Sequence, residues 1–499
     1  MIGKPIANVL AFAALLAFCM ISGPAVAADA PMSGDTEDCI FCHQMTHPGI
    51  VEDWKRSRHA RTTPAQALKK EEITRRISAK EVPKELMDTS VGCAECHTMN
   101  PDSHPDSFDH NDVKVHLTVT PNDCRTCHPE EDDQFKKNLM AWAHKNLTDN
   151  SLYRSLMQSV NAPQTFKKTK TELGKSNDLT EADSCLHCHG TKLEVTGTVT
   201  RETSQGEMTF PVLKGWPNQG VGRINPDGSK GACSACHSRH QFSIEMARKP
   251  YTCSQCHKGP DVPAYPAYSV SKHGNLFSAM NKHWDFNKVP WTVGTDIGGP
   301  TCATCHVSLL VDTEGTTIVK RTHQMNDRLP WRILGLIYAH PHTKSPYTAE
   351  VKNKNGLPLP TTLDGELAKE FVIDTVEQDK RQQTLQSVCR ACHSKNWVDG
   401  HWERFENTIH TTNERTKTAT QILARAWNIG AADKGNVFDE GIEKKWVEQW
   451  LFYANSTRFA SAMMGADYGV FANGRWYLAK NIQDMIDLLN LLSATKKKK

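Results

Sequence analysis

Hydrophobic positions first cluster at the N-terminus, where Lys4 precedes an apolar run from Val9 to Ile21 and then Ala25-Val26-Ala27. A basic start, a short apolar run and small residues at a cleavage point predict a secretory signal over residues 1–27. It is too short and wrongly flanked to span a membrane. Beyond it no run approaches the roughly 18 apolar residues of a membrane helix. Helical periodicity is plainest near the other end. Asn413 to Trp427 is free of Gly and Pro and closes at Gly430, which predicts a helix with a C-terminal stop. Asp439 to Met464 reads as a second, long helix, with Trp446, Trp450 and Tyr453 at i, i+4 and i+7. That aromatic stripe needs cover and predicts helix packing or a subunit contact. A short helix from Ile482 to Leu492 precedes a solvated Lys496 to Lys499 tail. Gly190 to Lys230, rich in Thr, Gly and Pro, reads as a long loop or small hairpin lying over something. The class is mainly α.

Composition complicates that picture. Only 38% of residues are hydrophobic and mean hydropathy is −0.54, thin for a chain of this length. Something other than side chains must supply apolar core.

The cysteines identify it. Of 17, all but Cys19 fall into eight copies of Cys-x-x-Cys-His. The pairs are Cys39/Cys42, Cys93/Cys96, Cys124/Cys127, Cys185/Cys188, Cys233/Cys236, Cys253/Cys256, Cys302/Cys305 and Cys389/Cys392. The histidines that close them are His43, His97, His128, His189, His237, His257, His306 and His393. Cys19 lies in the signal, and bulky Phe18 before it argues against lipidation. Cys-x-x-Cys-His is the c-type haem attachment signature. Thiols three residues apart share one face of a helical turn, so both can add to one porphyrin while the histidine turns its imidazole to the iron. Zinc sites and disulfide frameworks have no use for a histidine after every second cysteine. The reading is a multihaem cytochrome c fold condensed around eight covalently attached haems c, over residues 28–405. A helical C-terminal region, 406–499, follows. Irregular motif spacing excludes a tandem repeat of one module, and short gaps between motifs two and three and between five and six predict packed haem pairs.

The formal net charge of +3 omits two propionates per haem, which argues against nucleic acid as a partner. The signal predicts a periplasmic location.

Fifteen further histidines exceed what eight irons need as second ligands. Context favours His59, His116, His144, His240, His273, His323, His340, His342 and His401 as distal ligands. His59, His144 and His273 sit in short helix-like stretches, and His240 follows His237 by three residues, on the same face of a helix. His187, inside the fourth motif, reads as a filler position. Which of His323, His340 and His342 coordinate iron stays open.

The order of the motifs, together with "SRHQFSIEMARKPYTCSQCHKGPD", "SKHG", "THQMNDRLPWRI" and "YAHPH", resembles the octahaem hydroxylamine oxidoreductase family across the mature chain. The resemblance implies a mostly helical subunit, usually trimeric. It implies seven bis-histidine haems and a fourth, on Cys185, Cys188 and His189, left open for substrate. Hydroxylamine-oxidising members carry an Asp-His pair after the sixth motif; here Asp261 is followed by Val262. That pattern resembles the reductive branch, the octahaem nitrite reductases and hydroxylamine oxidoreductase-like reductases. Tyr468 lies where oxidising members cross-link a tyrosine to a neighbouring subunit's haem, but the residues after it depart from their pattern, so the cross-link stays open.

The expected function is therefore reduction of nitrite or hydroxylamine to ammonium. Electrons would come from a quinol-linked or small cytochrome donor. Asp261 is the candidate proton relay and Tyr265 a second candidate. Two alternatives remain at this stage: hydroxylamine oxidation by the same machinery, and a pure electron-transfer wire with every iron six-coordinate.

Overall fold

The computed structural model describes residues 30–168, 170–203, 206–217 and 220–496. The signal expected over 1–27 and the last three lysines lie outside the described residues.

Each haem motif sits on a helical turn. Cys93–His97, Cys185–His189 and Cys302–His306 are one-turn helices in their own right. The first motif lies within the Gly34–Thr46 helix, and Thr375–Arg390 ends in the eighth. Pro121–Cys124 and Pro250–Ser254 stop inside the third and sixth motifs, and Cys233–Ala235 is 3-10 helical. Such short helices have almost no intrinsic stability, so their ends are set by caps. Ser33 accepts from the Thr36 amide, and Thr120 and Thr301 open capping boxes with Asp123 and Thr304.

Apolar clusters between the motifs are small. Ile40, Val51, Trp54 and Ala60 form one near the first motif. Leu147, Met157 and Leu186 form another at the fourth. A larger group gathers Tyr268, Phe277, Phe286, Trp291 and Leu310. Strands add little: two-stranded ribbons, and one three-stranded sheet, among the described residues. The longest ribbon, Glu194–Thr203 with Gly206–Lys214, is the hairpin expected after the fourth motif.

The C-terminal region is helical, with corrections to the expected bounds. The first helix runs from Lys395 to Asn428 rather than starting at Asn413. Its earlier half buries Val398, Trp402, Phe405 and Ile409 on one face, a stripe obscured in sequence by Gly400 and the charged residues between. It is continuous across residue 405, so no break in the chain coincides with the boundary expected there. Gly430, at φ +62°, follows its end as the glycine stop predicts. The second segment comprises Gly441–Val447, a π-helical Glu448–Tyr453 and Ala454–Met463. The last helix, Arg475–Lys496, is twice as long as expected.

The aromatic stripe is covered by this chain itself. Trp446 and Trp450 are 3% and 1% exposed, packed with Leu423, Ala426, Trp427 and Met485. The Trp446 indole donates to Thr420 Oγ1 at 2.9 Å, and Tyr453 stacks on Tyr477. The stripe therefore provides no seam for a second subunit. No helix among the described residues is long and apolar enough to cross a membrane.

Candidate active site

The motif cysteines meet across the chain, and none of the sixteen is in a disulfide. Cys39 lies beside Cys93, Cys124 beside Cys233, Cys188 beside Cys256 and Cys253 beside Cys302. Cys96 lies near Cys127, Cys236 near Cys253 and Cys305 near Cys389. These neighbours order the motifs as one, two, three, five, six, seven, eight, with the fourth branching from the sixth. Short gaps in sequence did bring motifs two and three, and five and six, together; the three–five and four–six contacts are long-range. The two ends of the path are the most open, with Cys42 and Cys392 exposed.

Between the motifs runs a cavity of about 2520 Å³, lined by thiols of the third to eighth motifs and Cys96 among mostly apolar side chains. Single-ligand pockets are typically about 300–1,000 Å³, and protein interiors are otherwise close-packed. A continuous apolar void bounded by thiol pairs and imidazoles fits a row of porphyrins. Buried ring nitrogens without partners, on His110, His323 and His342, fit it too.

The imidazoles are arranged for iron. A metal–imidazole bond of about 2.0–2.1 Å puts two trans ring centres roughly 6 Å apart. His43 and His110 lie 6.1 Å apart, His59 and His128 6.4 Å, His273 and His393 6.1 Å, and His97 and His116 6.0 Å. The charge of His97 acts on His240, and that of His237 on His323. Proximal rings are oriented from behind. His97, His189 and His306 donate Nδ1–H to the carbonyls of His116, Ala143 and Met325, which leaves Nε2 with a free lone pair. Burial pushes His59, His237, His240 and His306 down to about 4, so these rings are neutral at pH 7.

Other expected ligands are placed differently. His116 is behind His97, stacked at 3.6 Å on His104. His340 is absent from the large cavity and lines a small recess with Tyr153, Arg332 and Thr348, whereas His342 and His323 line the large one. His240 does not share a helix with His237, because helical structure ends at Ala235 and turns follow. His59 sits in a turn after the Pro48–Arg56 helix. His144 and His401 line the cavity, and Trp397 stacks between His401 and His393. His187 is exposed. His110 escaped the sequence reading. Asn111 and Asp112, both at positive φ, make the tight hairpin turn that follows it, and that Asn-Asp pair was the available signal.

At the fourth motif several segments converge on His189. The chain at Gly222 crosses so closely that a Cβ there would stand 2.7 Å from both the His144 amide nitrogen and the His189 carbonyl oxygen, which only glycine permits. Asp261 lines the cavity and its charge acts on Cys185, Cys188, His189 and His257. The charge of Arg332, which also lines the cavity, acts on His189, Tyr153 and His342. The main chain of Asp261 is anchored by Asn455, whose amide donates to its carbonyl at 3.0 Å. Asn455 is itself fully buried and held by Leu451 O and Arg458. Arg332 lies in the THQMNDRLPWRI stretch but was given no role there, and Asn455 carries no local motif, so sequence reasoning assigned neither. Tyr265 lies beside Tyr251 and near Cys302, at the junction of the sixth and seventh motifs. Tyr468 is half-buried on the short Ala466–Val470 helix.

Two family patterns match. "Seven times multi-haem cytochrome CxxCH" covers residues 225–331, and "Cytochrome c554 and c-prime" covers 38–118 and 123–209. A solved structure described as a "Hypothetical multiheme protein" is 40% identical, with TM-score 0.88, over 95% of this chain and 98% of that one. A chain of the Kuenenia stuttgartiensis reducing HAO-like protein complex superposes with TM-score 0.59 at 17% identity, over 93% of this chain and 86% of that one. A probable nitrite reductase-hydroxylamine oxidoreductase fusion protein of the same organism is 26% identical over 421 residues, 80% of this chain. This chain spans 38% of that relative's length.

Proposed function

Since the chain belongs to the multihaem c-type cytochromes and has the hydroxylamine oxidoreductase-like fold, we propose that it reduces nitrite or hydroxylamine to ammonium at the fourth motif. The observation that carries the reading is Asp261 lining the cavity, with its charge acting on His189 and apolar Val262 beside it. Oxidising hydroxylamine calls for an imidazole that titrates near neutral pH to take protons away. Supplying protons to an N–O group needs only a carboxylate and water.

Haems held by the motif cysteines and histidines would supply the electrons for the reduction. The chain's own residues do the rest. His189, held by the Ala143 carbonyl, presents Nε2 as the proximal donor. Asp261 holds or moves a proton at its carboxylate, positioned by Asn455. Arg332 provides the cation that an anionic substrate needs in an apolar cavity. Tyr265 is assigned to packing at the sixth and seventh motifs. Reduction of nitrite to ammonium takes six electrons, and the ordered motif path is a suitable store and conduit. His43 and His110, His97 and His240, His128 and His59, His237 and His323, and His393 and His273 are the histidines that would hold five of the haems. His144, His342 and His401 remain for the sixth and seventh irons. The exposed first and eighth motifs are the natural docking points for a small cytochrome or quinol-linked donor in the periplasm.

We also assign a homotrimer, on new grounds. Val160 and Leu179 line the cavity mouth near the fourth motif at 66% and 83% exposure, and Phe166 on the following hairpin is 75% exposed. A second copy would cover them.

Electron paramagnetic resonance of the ferric protein tests the reading. One high-spin haem, perturbed by nitrite or cyanide, is expected among low-spin ones. An all-low-spin spectrum unmoved by either ligand would mean a wire. Hydroxylamine oxidation outpacing nitrite and hydroxylamine reduction in steady state would reverse the direction.

A further inference from the structure

Arg458, on the Ala454–Met463 helix, is fully buried. Among the described residues no carboxylate offsets its charge, and burial alone pushes its guanidinium down to about 9. Its Nε has no hydrogen-bond partner. A buried cation with neither counter-charge nor full hydrogen bonding is poor glue, since an apolar side chain of similar volume stabilises a fold at least as well. What the guanidinium does hold is three separate segments. Nη1 donates to the Ile333 carbonyl at 3.3 Å and to Asn455 Oδ1 at 3.2 Å, and Nη2 donates to Asn413 Oδ1 at 2.7 Å. Each acceptor leads to the fourth-motif site. Ile333 follows Arg332 in the chain. Asn455 donates to the Asp261 carbonyl at 3.0 Å. Asn413, on the Lys395–Asn428 helix, accepts from the Ala339 amide at 3.0 Å and donates to the Ala339 carbonyl at 2.9 Å. Ala339 immediately precedes the strand in which His340 pairs with Arg332.

We propose, resting on the reduction assigned to the fourth motif, that Arg458 is a positioning residue that clamps the Asp261 loop and the Arg332 ribbon at a fixed separation. A planar guanidinium with its donors in a rigid fork holds three acceptors in one geometry. A lysine ammonium, a single point on a flexible stem, does not. Arg332 receives the anion and Asp261 handles its proton, so both must stand at one substrate at once. Loosening the clamp therefore acts differently on two substrates. Nitrite is an anion, and its binding depends on where Arg332 stands. Hydroxylamine is largely uncharged at pH 7 and has no such dependence. Both need the Asp261 carboxyl in place.

The test is steady-state kinetics of the Arg458→Lys holoprotein with each substrate. A displacement of about 1 Å can cost about 10²-fold, and kcat should fall by that order with both. KM for nitrite should rise about tenfold, the worth of one charge-assisted hydrogen bond, while KM for hydroxylamine stays at the wild-type value. Haem content and the low-spin spectrum should be unchanged. Unchanged kcat, or a KM that rises equally for both substrates, would overturn the proposal. Asn413→Ala, at a half-buried position, removes the ribbon arm alone and decides if Arg458→Lys does not fold. It should raise KM for nitrite and not for hydroxylamine, and equal values for the two would reject the clamp. Asp261→Asn separates this inference from the functional reading. If Asp261→Asn turns over undiminished, the reductive assignment fails and the clamp with it. If Asp261→Asn is slow while Arg458→Lys is as fast as wild type, the clamp alone fails.

Discussion

His144 and His189 each give the Nδ1 proton to the segment that carries the other. His189 donates to the Ala143 carbonyl at 3.1 Å and His144 to the Gly190 carbonyl at 2.6 Å. Both rings thereby have Nε2 free and are held as a pair. His144→Ala should vacate a coordination position on a neighbouring haem and loosen His189. A second high-spin signal is expected by electron paramagnetic resonance. A spectrum identical to wild type would show that His144 coordinates no iron.

Asp261→Asn keeps the shape and removes the acid. General acid–base groups contribute about 10²–10⁴-fold, so turnover with nitrite or hydroxylamine should fall by at least about 10². The nitrite concentration for half of the spectral change should stay close to wild type, because binding does not require the proton. Undiminished turnover would remove Asp261 from the chemistry.

Leu179 is the most exposed large apolar residue at the cavity mouth. Leu179→Asp should dissociate the trimer, read as a fall in mass by light scattering, with haem content retained. A wild-type monomer at micromolar concentration would contradict the assembly itself.

Trp446→Ala should act within the chain. Truncating a buried tryptophan costs about 3–5 kcal/mol, and the bond to Thr420 Oγ1 goes with it. Denaturant unfolding of the C-terminal helices should shift accordingly while mass in solution is unchanged. A change in oligomer mass at full stability would restore the aromatic stripe as a subunit contact.

Glu443 gives a pH dependence of definite sign. Burial pushes its carboxyl up to about 7, against the bonds it accepts from Trp427 and the amides of Asp439 and Glu440. A carboxyl whose pKa is raised on folding binds its proton more tightly when folded. Stability is therefore lost as pH climbs from the unfolded value near 4.5 through 7, by at most about 3 kcal/mol. In melting scans across that window the wild type should lose ground to Glu443→Gln. Parallel curves for the two proteins would show that Glu443 does not titrate there.

Most of the chemistry was legible along the chain because it is local. Cys-x-x-Cys-His needs one helical turn, and a turn is dictated by neighbours in sequence; Cys185–His189 takes it up as spaced. Gly430 stops a helix for the same reason, and the Thr- and Gly-rich run after the fourth motif becomes a hairpin. The expected Trp446 stripe was equally real, but which surface covers it is a tertiary matter. It is met by Leu423, Trp427 and Met485 of the same chain.

The sequence by itself therefore determined the cofactor class, the proximal ligands and the helical texture. Only the tertiary structure decided the partners. A two-residue turn sets the His110 ring 6.1 Å from that of His43. His116, six residues on, is turned to His104 and Asp123. The fourth motif meets the sixth, not the third or fifth, through Cys188 and Cys256. The backbone of Asp261 is held by Asn455, almost two hundred residues later. A thiol pair is specified over three residues of chain, whereas a distal imidazole or a proton donor is specified by closure of long loops. Such closure is set by packing across the whole molecule, which no local pattern encodes.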